Sequence, residues 1–444
     1  MALVVELLIL GKLDRSRPLQ GFMGSRITDL HARMILDSRG RPTVEVDCFV
    51  EGAFSARASV PSGASTGSHE AMEIRDGGPM WMGSGVEKSV ENVNTILKGE
   101  LVGMSVHDQA LIDERLLSID GTSNKSRLGA NSTLGCSLAI LKASANEKGL
   151  PLWKSIPGDW ANATMPVPLM NILNGGAHAA TDVDVQEFMV VPYGFPDFKT
   201  ALRAGAETYH WLKIALKERG LLSGIGDEGG FAPALEKNEH GLELLVEAIE
   251  KAGYSISNQI GIALDVAATE FFRSDKYLFD GREIAGEELS SIYSSWIEKF
   301  PIVSIEDPFS EDDWDSWISF TDKGHDVLVI GDDLYVTNKT RLERGITDRA
   351  SNSILIKPNQ IGTVSETLEV MRIAKEAGFD CIMSHRSGET SDSSISDLAA
   401  GTGCGWIKTG APARSDRTSK YNQLLRIEEH ALRYSGLDLQ LALN

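Results

Sequence analysis

Six short apolar runs in the second half of the chain each stop at a charged or polar residue that could do chemistry. In chain order these ends are Asp265, Glu306, Asp332, Lys357, His385-Arg386 and Lys408. The first three are acids and the last three are bases. From Glu306 onward the ends recur every 22 to 29 residues, which is the length of one strand, one helix and two loops. The pattern predicts parallel strands joined by helices.

The acids would bind a metal cation, whereas the bases would bind an anion. In a (β/α)8 barrel the active site is built where the strands end, so these side chains would converge on one mouth. Three carboxylates facing one another repel unless a divalent cation lies among them, and oxygen ligands favour Mg²⁺, Ca²⁺ or Mn²⁺. Any single end is explained equally well by a solvated loop. Six ends, ordered and separated by charge, predict a metal site beside an anion-binding half.

The barrel that would position these residues is predicted over residues 160–444. The gap of 41 residues between Asp265 and Glu306 is longer than one βα unit. Residues 272–281 read as a loop or small hairpin inserted there. The insertion lengthens one repeat without changing the order of the charged ends.

A second, smaller domain is predicted before the barrel. Residues 26–60 alternate in the manner of β-strands, and helical periodicity follows, which predicts an α+β domain over residues 27–155. Residues 1–26 fit neither pattern and are interpreted as an extension or tail. Met23 lies just before the first strand and is an alternative start to Met1.

Composition limits the classes of function. A net charge of −20 argues against a broad nucleic-acid footprint, although local cations can still bind a small anionic substrate. The four cysteines contain no C-x-x-C pair and are expected to be reduced, as in the cytoplasm. The apolar start is interrupted by Glu6 and is too short to span a membrane. We therefore expect a cytoplasmic protein that binds neither nucleic acid nor membrane.

Two glycine-containing loops could contribute to a site. Residues 61–67, PSGASTG, contain only small residues and could offer hydroxyl and backbone N–H groups to a phosphate or metal. An ordinary connector is the alternative, and the missing GK[ST] ending excludes a nucleotide P-loop. Residues 226–230, GDEGG, place two acids among three glycines. Such a frame fits either a solvated turn or a positioned general acid.

Eleven longer stretches follow one another from about residue 27 to residue 436. They include DSRGRPTVEV at 37–46, VPSGASTG at 60–67, GDEGGFAP at 226–233, SIEDP at 304–308, ILIKPNQIGT at 354–363, SHRSGET at 384–390 and IKTGAP at 407–412. In these motifs and their order the chain resembles the enolase family. The resemblance implies a modified (β/α)8 TIM-like barrel, opening ββαα, behind an α+β N-terminal domain.

The resemblance also implies a Mg²⁺-dependent hydro-lyase of glycolysis that interconverts 2-phosphoglycerate and phosphoenolpyruvate. Asp265, Glu306 and Asp332 match the ligands of the first Mg²⁺. A second Mg²⁺ arrives with the substrate, and Ser65 matches its protein contact. Lys357 matches the base that removes the C2 proton. Glu228 matches the acid that helps the C3 hydroxyl leave as water.

The remaining matched positions contact the substrate. They are His178, Gln186, Glu187, His385, Arg386, Ser387 and Lys408. Arg386 can fork onto the phosphate with two parallel hydrogen bonds. Because proton removal beside a carboxylate leaves a dianion, two Mg²⁺ ions and Lys408 would supply the positive charge. The same cations are expected to lower the pKa of Lys357.

Two alternatives remain open at this point. One is another enzyme of the superfamily that acts on a different α-hydroxy acid, and the other is a binding protein that keeps the fold. Departures from the family pattern include Ser391 and the loop at 77–86, and they bear on substrate affinity. A homodimer or higher homo-oligomer is expected, and a second role at the cell surface stays open. Arg426 is interpreted as part of a solvated helix face, and the resemblance offers the alternative that it and Arg39 meet across a subunit interface.

Overall fold

The computed structural model describes residues 25–63, 67–160, 163–176 and 183–436. The first domain opens with an antiparallel meander. Its strands are β1 (Ile27–Leu36), β2 (Pro42–Val50) and β3 (Ala53–Ser59). Its helices are α1 (Glu87–Asn92), α2 (Lys98–Leu101), α3 (Gln109–Asp120) and α4 (Ala130–Glu147). This is the α+β arrangement that the alternating pattern predicts.

The meander packs one face on helix α4. Val44, Val46 and Cys48 of β2 are fully buried, as the alternation of apolar residues along the strand requires. Gly135 of α4 lies against this face, and a Cβ there would come within 2.7 Å of Val46 Cγ2. The sheet and the helix therefore approach each other more closely than any larger residue at position 135 would allow.

The second domain is a closed eight-stranded barrel. Its strands are β4 (Val167–Asn174), β5 (Glu187–Val191), β6 (Gly261–Asp265), β10 (Ile302–Glu306), β11 (Leu328–Gly331), β12 (Ser353–Ile356), β13 (Asp380–Ser384) and β14 (Gly405–Lys408). Strand β5 runs antiparallel to both neighbours, and the other pairs are parallel. The fold class predicted from the sequence is confirmed.

Helices surround the barrel and connect its strands. They are α5 (Phe198–Glu218), α6 (Asn238–Lys251), α7 (Gly286–Lys299), α8 (Trp314–Thr321), α9 (Lys339–Asp348), α10 (Pro358–Ile361), α11 (Val364–Glu376), α12 (Ser394–Thr402) and α13 (Ser415–Glu428). Helices α5 and α6 both follow β5, which gives the ββαα opening. Thr363 caps α11: its hydroxyl oxygen accepts from the N–H of Glu366, and its hydroxyl group donates to that residue's carboxylate.

The insertion predicted at 272–281 is a three-stranded meander. It consists of β7 (Phe272–Arg273), β8 (Lys276–Phe279) and β9 (Arg282–Ile284). All four cysteines are buried and free, in agreement with the expected reduced thiols. Among the described residues, no helix is both long enough and apolar enough to cross a membrane.

The first domain docks on the barrel through a polar seam. Asp392 of the barrel accepts hydrogen bonds from Lys142 Nζ at 2.8 Å and from the Ser59 N–H at 3.1 Å. Lys125 pairs with Glu366 at 2.6 Å. Arg39, which the resemblance placed at a subunit interface, is buried within the chain and donates to the carbonyls of residues 62 and 63. The seam holds the segment after residue 66 beside the barrel mouth.

Candidate functional site

A cavity opens at the carboxyl ends of the barrel strands. Its acidic lining residues are Glu70, Glu187, Glu228, Asp265, Asp307, Asp332 and Asp333, and its cationic ones are Lys357, Arg386 and Lys408. Seven carboxylates thus face three fixed cations. Such an excess of buried negative charge is unstable without further positive charge.

Strand register brings the first group of acids together. Asp265 ends β6 and pairs with Glu306 of β10 on one side and with Glu187 of β5 on the other. The three residues therefore lie at one level of the barrel, and all three are buried. Asp332 follows β11, the next strand in the barrel order. The predicted metal ligands thus come from three adjacent strand ends.

Lys408 is the cation at the centre of this group. Its Nζ lies 2.7 Å from Asp265 Oδ2, 2.9 Å from both Glu306 oxygens and 3.4 Å from Glu187 Oε2. Burial lowers the pKa of Lys408, but the surrounding carboxylates outweigh it and hold the pKa well above its usual value. Lys408 is therefore a permanent positive charge.

The single positive charge of Lys408 does not neutralise the carboxylates around it. The pKa of Glu187 is raised well above its usual value by burial and by the nearby carboxylate of Glu228. The pKa of Glu306 is raised likewise, by burial and by Asp265. These carboxylates offer hard oxygen donors at the end of three neighbouring strands, and a divalent cation such as Mg²⁺ fits that donor set.

Lys357 lies directly after β12 and pairs with Asp332 Oδ2. The other oxygen of Asp332 accepts from Gln360 Nε2 at 2.9 Å. Burial lowers the pKa of Lys357, and Arg386 and Lys408 lower it further, but the surrounding carboxylates, Asp332 foremost and Glu306 after it, together leave the net pKa raised. The lowered pKa expected from the sequence depends on two bound Mg²⁺ ions together with Lys408, and the protein's own carboxylates act in the opposite direction.

A second carboxylate group includes a residue that the sequence analysis missed. Oxygens of Asp307, Asp332 and Asp333 lie within 4.8 Å of one another. The Asp307 carboxylate already accepts from the N–H of Asp332 at 2.9 Å and from that of Asp333 at 2.8 Å. The Asp307 carboxylate therefore holds the turn after β11 in place. The position of Asp307 directly after Glu306 in the sequence was the signal that could have identified it.

Glu228 lies in the glycine loop on the other side of the mouth. The loop closes through a 2.8 Å hydrogen bond from the Gly226 N–H to the Gly230 carbonyl. A Cβ on Gly230 would come within 2.5 Å of Asn174 Oδ1, so the loop approaches β4 as only glycine permits. Asn171 Nδ2 donates to Glu228 Oε2 at 3.2 Å. The tight glycine frame proposed from the sequence is present.

Arg386 follows β13 and is engaged by a residue from the first domain. Its Nη1 and Nη2 donate to the two Glu70 oxygens at 2.9 and 3.0 Å, and Nη1 also donates to Asn359 Oδ1 at 3.1 Å. Glu70 comes three residues after the small-residue loop and was not singled out in the sequence. The guanidinium that was predicted to fork onto a phosphate thus already holds a carboxylate on one edge.

The structure brings most of the predicted site residues into this one cavity. Those that line it are Gln186, Glu187, Glu228, Asp265, Asp332, Lys357, His385, Arg386, Ser387 and Lys408. Glu306 is wholly buried beside them. Ser65 and His178 lie outside the described residues. Glu70, Asp307 and Asn171 belong to the site or its support and were missed.

Two family models match the chain in succession. The model described as the enolase N-terminal domain matches residues 27–156, and that described as the enolase C-terminal TIM barrel domain matches residues 162–440. The chain belongs to the enolase family. Membership supports a lyase-type enolase activity on a small-molecule substrate, in a family that is generally Mg²⁺-dependent. The carboxylate group at the mouth of this enolase barrel is consistent with that dependence.

Proposed function

We propose that this chain catalyses the Mg²⁺-dependent, reversible dehydration of 2-phosphoglycerate to phosphoenolpyruvate. The observation that carries the proposal is the separation of a buried amine and a buried carboxyl group around one mouth. Lys357 follows β12, whereas Glu228 is held by Asn171 of β4, and the ends of β13 and β14 lie between them. A base and an acid at separate positions are what removing a proton and a hydroxyl from adjacent carbons requires.

The metal site of this proposal consists of Asp265, Glu306 and Asp332. When bound there, Mg²⁺ would supply positive charge that stabilises the negative charge developing on the substrate carboxylate. Lys408 adds a fixed cation at the same place, since its ammonium group is surrounded by carboxylates. This half of the mouth therefore stabilises the transition state electrostatically.

Lys357 removes the C2 proton in this scheme and must be neutral to do so. Burial, Arg386 and Lys408 favour the neutral amine, and Asp332 opposes it. Asp332 is also a proposed metal ligand. A metal bound to Asp332 would therefore weaken the interaction that keeps Lys357 protonated.

Glu228 gives its proton to the C3 hydroxyl, which leaves as water. Arg386 and Ser387 bind the phosphate, while Glu70 remains on the Nη1 and Nη2 edge of the guanidinium. Gln186 and Glu187 complete the wall of the cavity beside the metal half. Ser65 and His178 are retained in this proposal as the contacts of the second metal and of the substrate.

The finer assignments of organisation belong to the same proposal. We infer an N-terminal domain over residues 27–155, a catalytic barrel over 160–444 and an extension over 1–26. We also infer a cytoplasmic homo-oligomer that acts in glycolysis. Sedimentation of the purified chain measures its oligomeric state, and a monomer at all concentrations contradicts that inference.

The test follows the ultraviolet absorbance of the product's conjugated double bond during incubation with 2-phosphoglycerate. Wild type is compared with Lys357→Ala and Glu228→Gln, each with Mg²⁺ and with a chelator. We expect absorbance to rise only for wild type with Mg²⁺. If folded wild type with Mg²⁺ gives no rise, the reaction is wrong. A rise with non-phosphorylated α-hydroxy acids instead would indicate the alternative superfamily activity.

A further inference from the structure

Arg417 is a buried arginine that links two loops of the mouth. It lies in the first turn of α13, and its side chain is completely shielded from solvent. Nη1 donates to His385 Nδ1 at 2.5 Å and to the Arg386 carbonyl at 2.6 Å. Nη2 donates to the Ser387 carbonyl at 2.6 Å and to the Asp227 carbonyl at 3.2 Å. One guanidinium thus joins the loop after β13 to the loop that carries Glu228.

The contact with His385 determines which ring nitrogen carries a proton. A guanidinium has only donors, so Nδ1 of His385 must be the acceptor. The pKa of His385 is lowered to about 3, because burial disfavours the charged ring, and the neutral ring carries one proton. That proton is therefore on Nε2. Nε2 is buried and makes no hydrogen bond within the described part of the chain, and the nearest carboxylate oxygen, Glu228 Oε2, lies 3.3 Å away.

The three groups converge on one glycine, which shows how little room the arrangement leaves. Gly410 follows β14 with a φ of +78°. A Cβ there would come within 2.9 Å of Arg417 Cδ, 2.9 Å of the Glu228 carbonyl and 3.1 Å of His385 Cε1. The Ala411 N–H also donates to the Glu228 carbonyl at 3.0 Å. The backbone of the acid loop is thereby fixed against Arg417 and His385.

We propose that Arg417 is a positioning residue that keeps His385 in its Nε2–H form, so that an N–H rather than a lone pair lies beside the carboxyl group of Glu228. The proposal rests on the proposed function and deepens its acid step. Lys357 contacts Asp332 instead and has no contact with Arg417 among the described residues. Arg417 should therefore govern loss of the C3 hydroxyl and leave removal of the C2 proton largely intact.

The tautomer can be measured directly on the wild-type protein. Nitrogen-15 spectra of imidazole-labelled protein distinguish a protonated from an unprotonated ring nitrogen, and His385→Asn identifies the signal. We expect Nε2 protonated and Nδ1 unprotonated between about pH 6 and pH 8, since the group's pKa lies far below this range. A ring protonated on Nδ1, or on both nitrogens, would overturn the proposal, whether or not the protein has the proposed activity.

Kinetics provide the functional test. Exchange of the C2 proton of 2-phosphoglycerate with deuterated solvent reports the base step, and product formation reports both steps. In Arg417→Met we expect product formation to fall by about 10- to 100-fold, with exchange reduced much less. Arg417→Lys, which restores the charge but cannot reach all four acceptors, should recover product formation only in part. If both rates fall equally in the Met variant, Arg417 has no specific link to the acid.

Lys420→Met is the matched control. Lys420 is an equally buried cation in the same helix and donates to Glu389 and to the Thr390 carbonyl, away from the acid loop. Loss of Lys420 should leave the ratio of exchange rate to product-formation rate unchanged. If Lys420→Met changes this ratio as much as Arg417→Met does, the assignment to Arg417 is refuted. Exchange or turnover by wild type shows that the underlying function holds. If Arg417→Met does not fold, the kinetics of Arg417→Lys and the His385 tautomer measured in wild type test the proposal instead.

Discussion

The seam between the two domains and the mouth of the barrel both bury many charges, but they balance them differently. At the seam two acids each have their own cation: Asp392 pairs with Lys142 and Glu366 with Lys125. At the mouth seven carboxylates face three cations. The two regions lie in one protein, so its overall composition does not explain the difference in charge balance.

The pKa values follow this difference. Burial alone would raise the pKa of Asp392, but Lys142 and the hydrogen bonds from Ser394 lower it to about 2. The pKa values of Glu187 and Glu306 are instead raised well above their usual value, despite Lys408. Balanced pairs stabilise a fixed arrangement of domains, whereas an unbalanced group holds electrostatic energy that a bound cation can release. The seam is therefore structural, and the mouth is the place for chemistry.

The largest effect should come from the mouth. Lys357→Ala removes the proposed base without touching the seam, and we expect turnover to fall by about 10³- to 10⁴-fold, at the upper range for such groups. Stability should fall as well, because the variant leaves the buried Asp332 carboxylate without its counter-charge, so turnover is compared per folded molecule. Steady-state product formation and thermal unfolding measure the two effects. Turnover within tenfold of wild type would exclude Lys357 as the base.

The next effect should come from the seam and appear in stability. Asp392→Asn leaves Lys142 without its counter-charge, and we expect the free energy of unfolding to fall by about 3 kcal/mol. The folded pKa of Asp392 is lowered, so this contribution is present above about pH 4 and is lost as the pH falls towards 2. Urea unfolding at neutral and acidic pH measures it. Turnover per folded molecule should be preserved.

Glu369→Gln is the control for this variant. Glu369 pairs with Arg372 and Lys339 on the protein surface, so the same change from acid to amide should reduce stability by at most about 1 kcal/mol. If both variants lose the same free energy of unfolding, the buried ion pair at the seam contributes no more to stability than a surface ion pair does.

The smallest effect concerns a seam-side acid that has no salt bridge among the described residues. Asp397 of α12 accepts from Gln423 Nε2, and burial raises its pKa to about 6. A raised pKa favours the folded state at low pH and ceases to do so as the pH rises through that value. Asp397 should therefore make wild type lose roughly 1.4 kcal/mol between about pH 5 and pH 8.

Urea unfolding of wild type and Asp397→Asn at the two pH values isolates this contribution. The stability difference between the two proteins should shift in favour of the variant at the higher pH. A difference that is independent of pH would mean that Asp397 titrates normally.

The sequence predicted the barrel and its charged strand ends because both follow from a repeat. A βα unit has a nearly fixed length, so the spacing of Glu306, Asp332 and Lys357 was enough to assign them to one edge of the barrel. The glycines around Glu228 were also visible, since they mark a turn whose backbone adopts a conformation or a close approach that larger residues do not tolerate.

The supporting contacts could not be predicted in this way. Glu70 and Arg386 are separated by 316 positions, and their pairing depends on how the first domain docks. Arg417 looks like a surface residue of a polar helix, and only the tertiary structure shows that it is buried. The lowered pKa of Lys357 depends on bound Mg²⁺ and stays a prediction, whereas the pairing of Lys357 with Asp332 depends on side-chain geometry rather than on spacing.

The most direct test of the contrast between mouth and seam is calorimetric titration of Mg²⁺ into metal-free protein. Wild type, Glu306→Gln and Asp392→Asn are compared after each has been shown to fold. We expect wild type to bind Mg²⁺, Glu306→Gln to bind about 100-fold more weakly, and Asp392→Asn to bind as wild type does. Folded wild type that binds no Mg²⁺, or a Glu306→Gln variant that binds as tightly as wild type, would contradict the account.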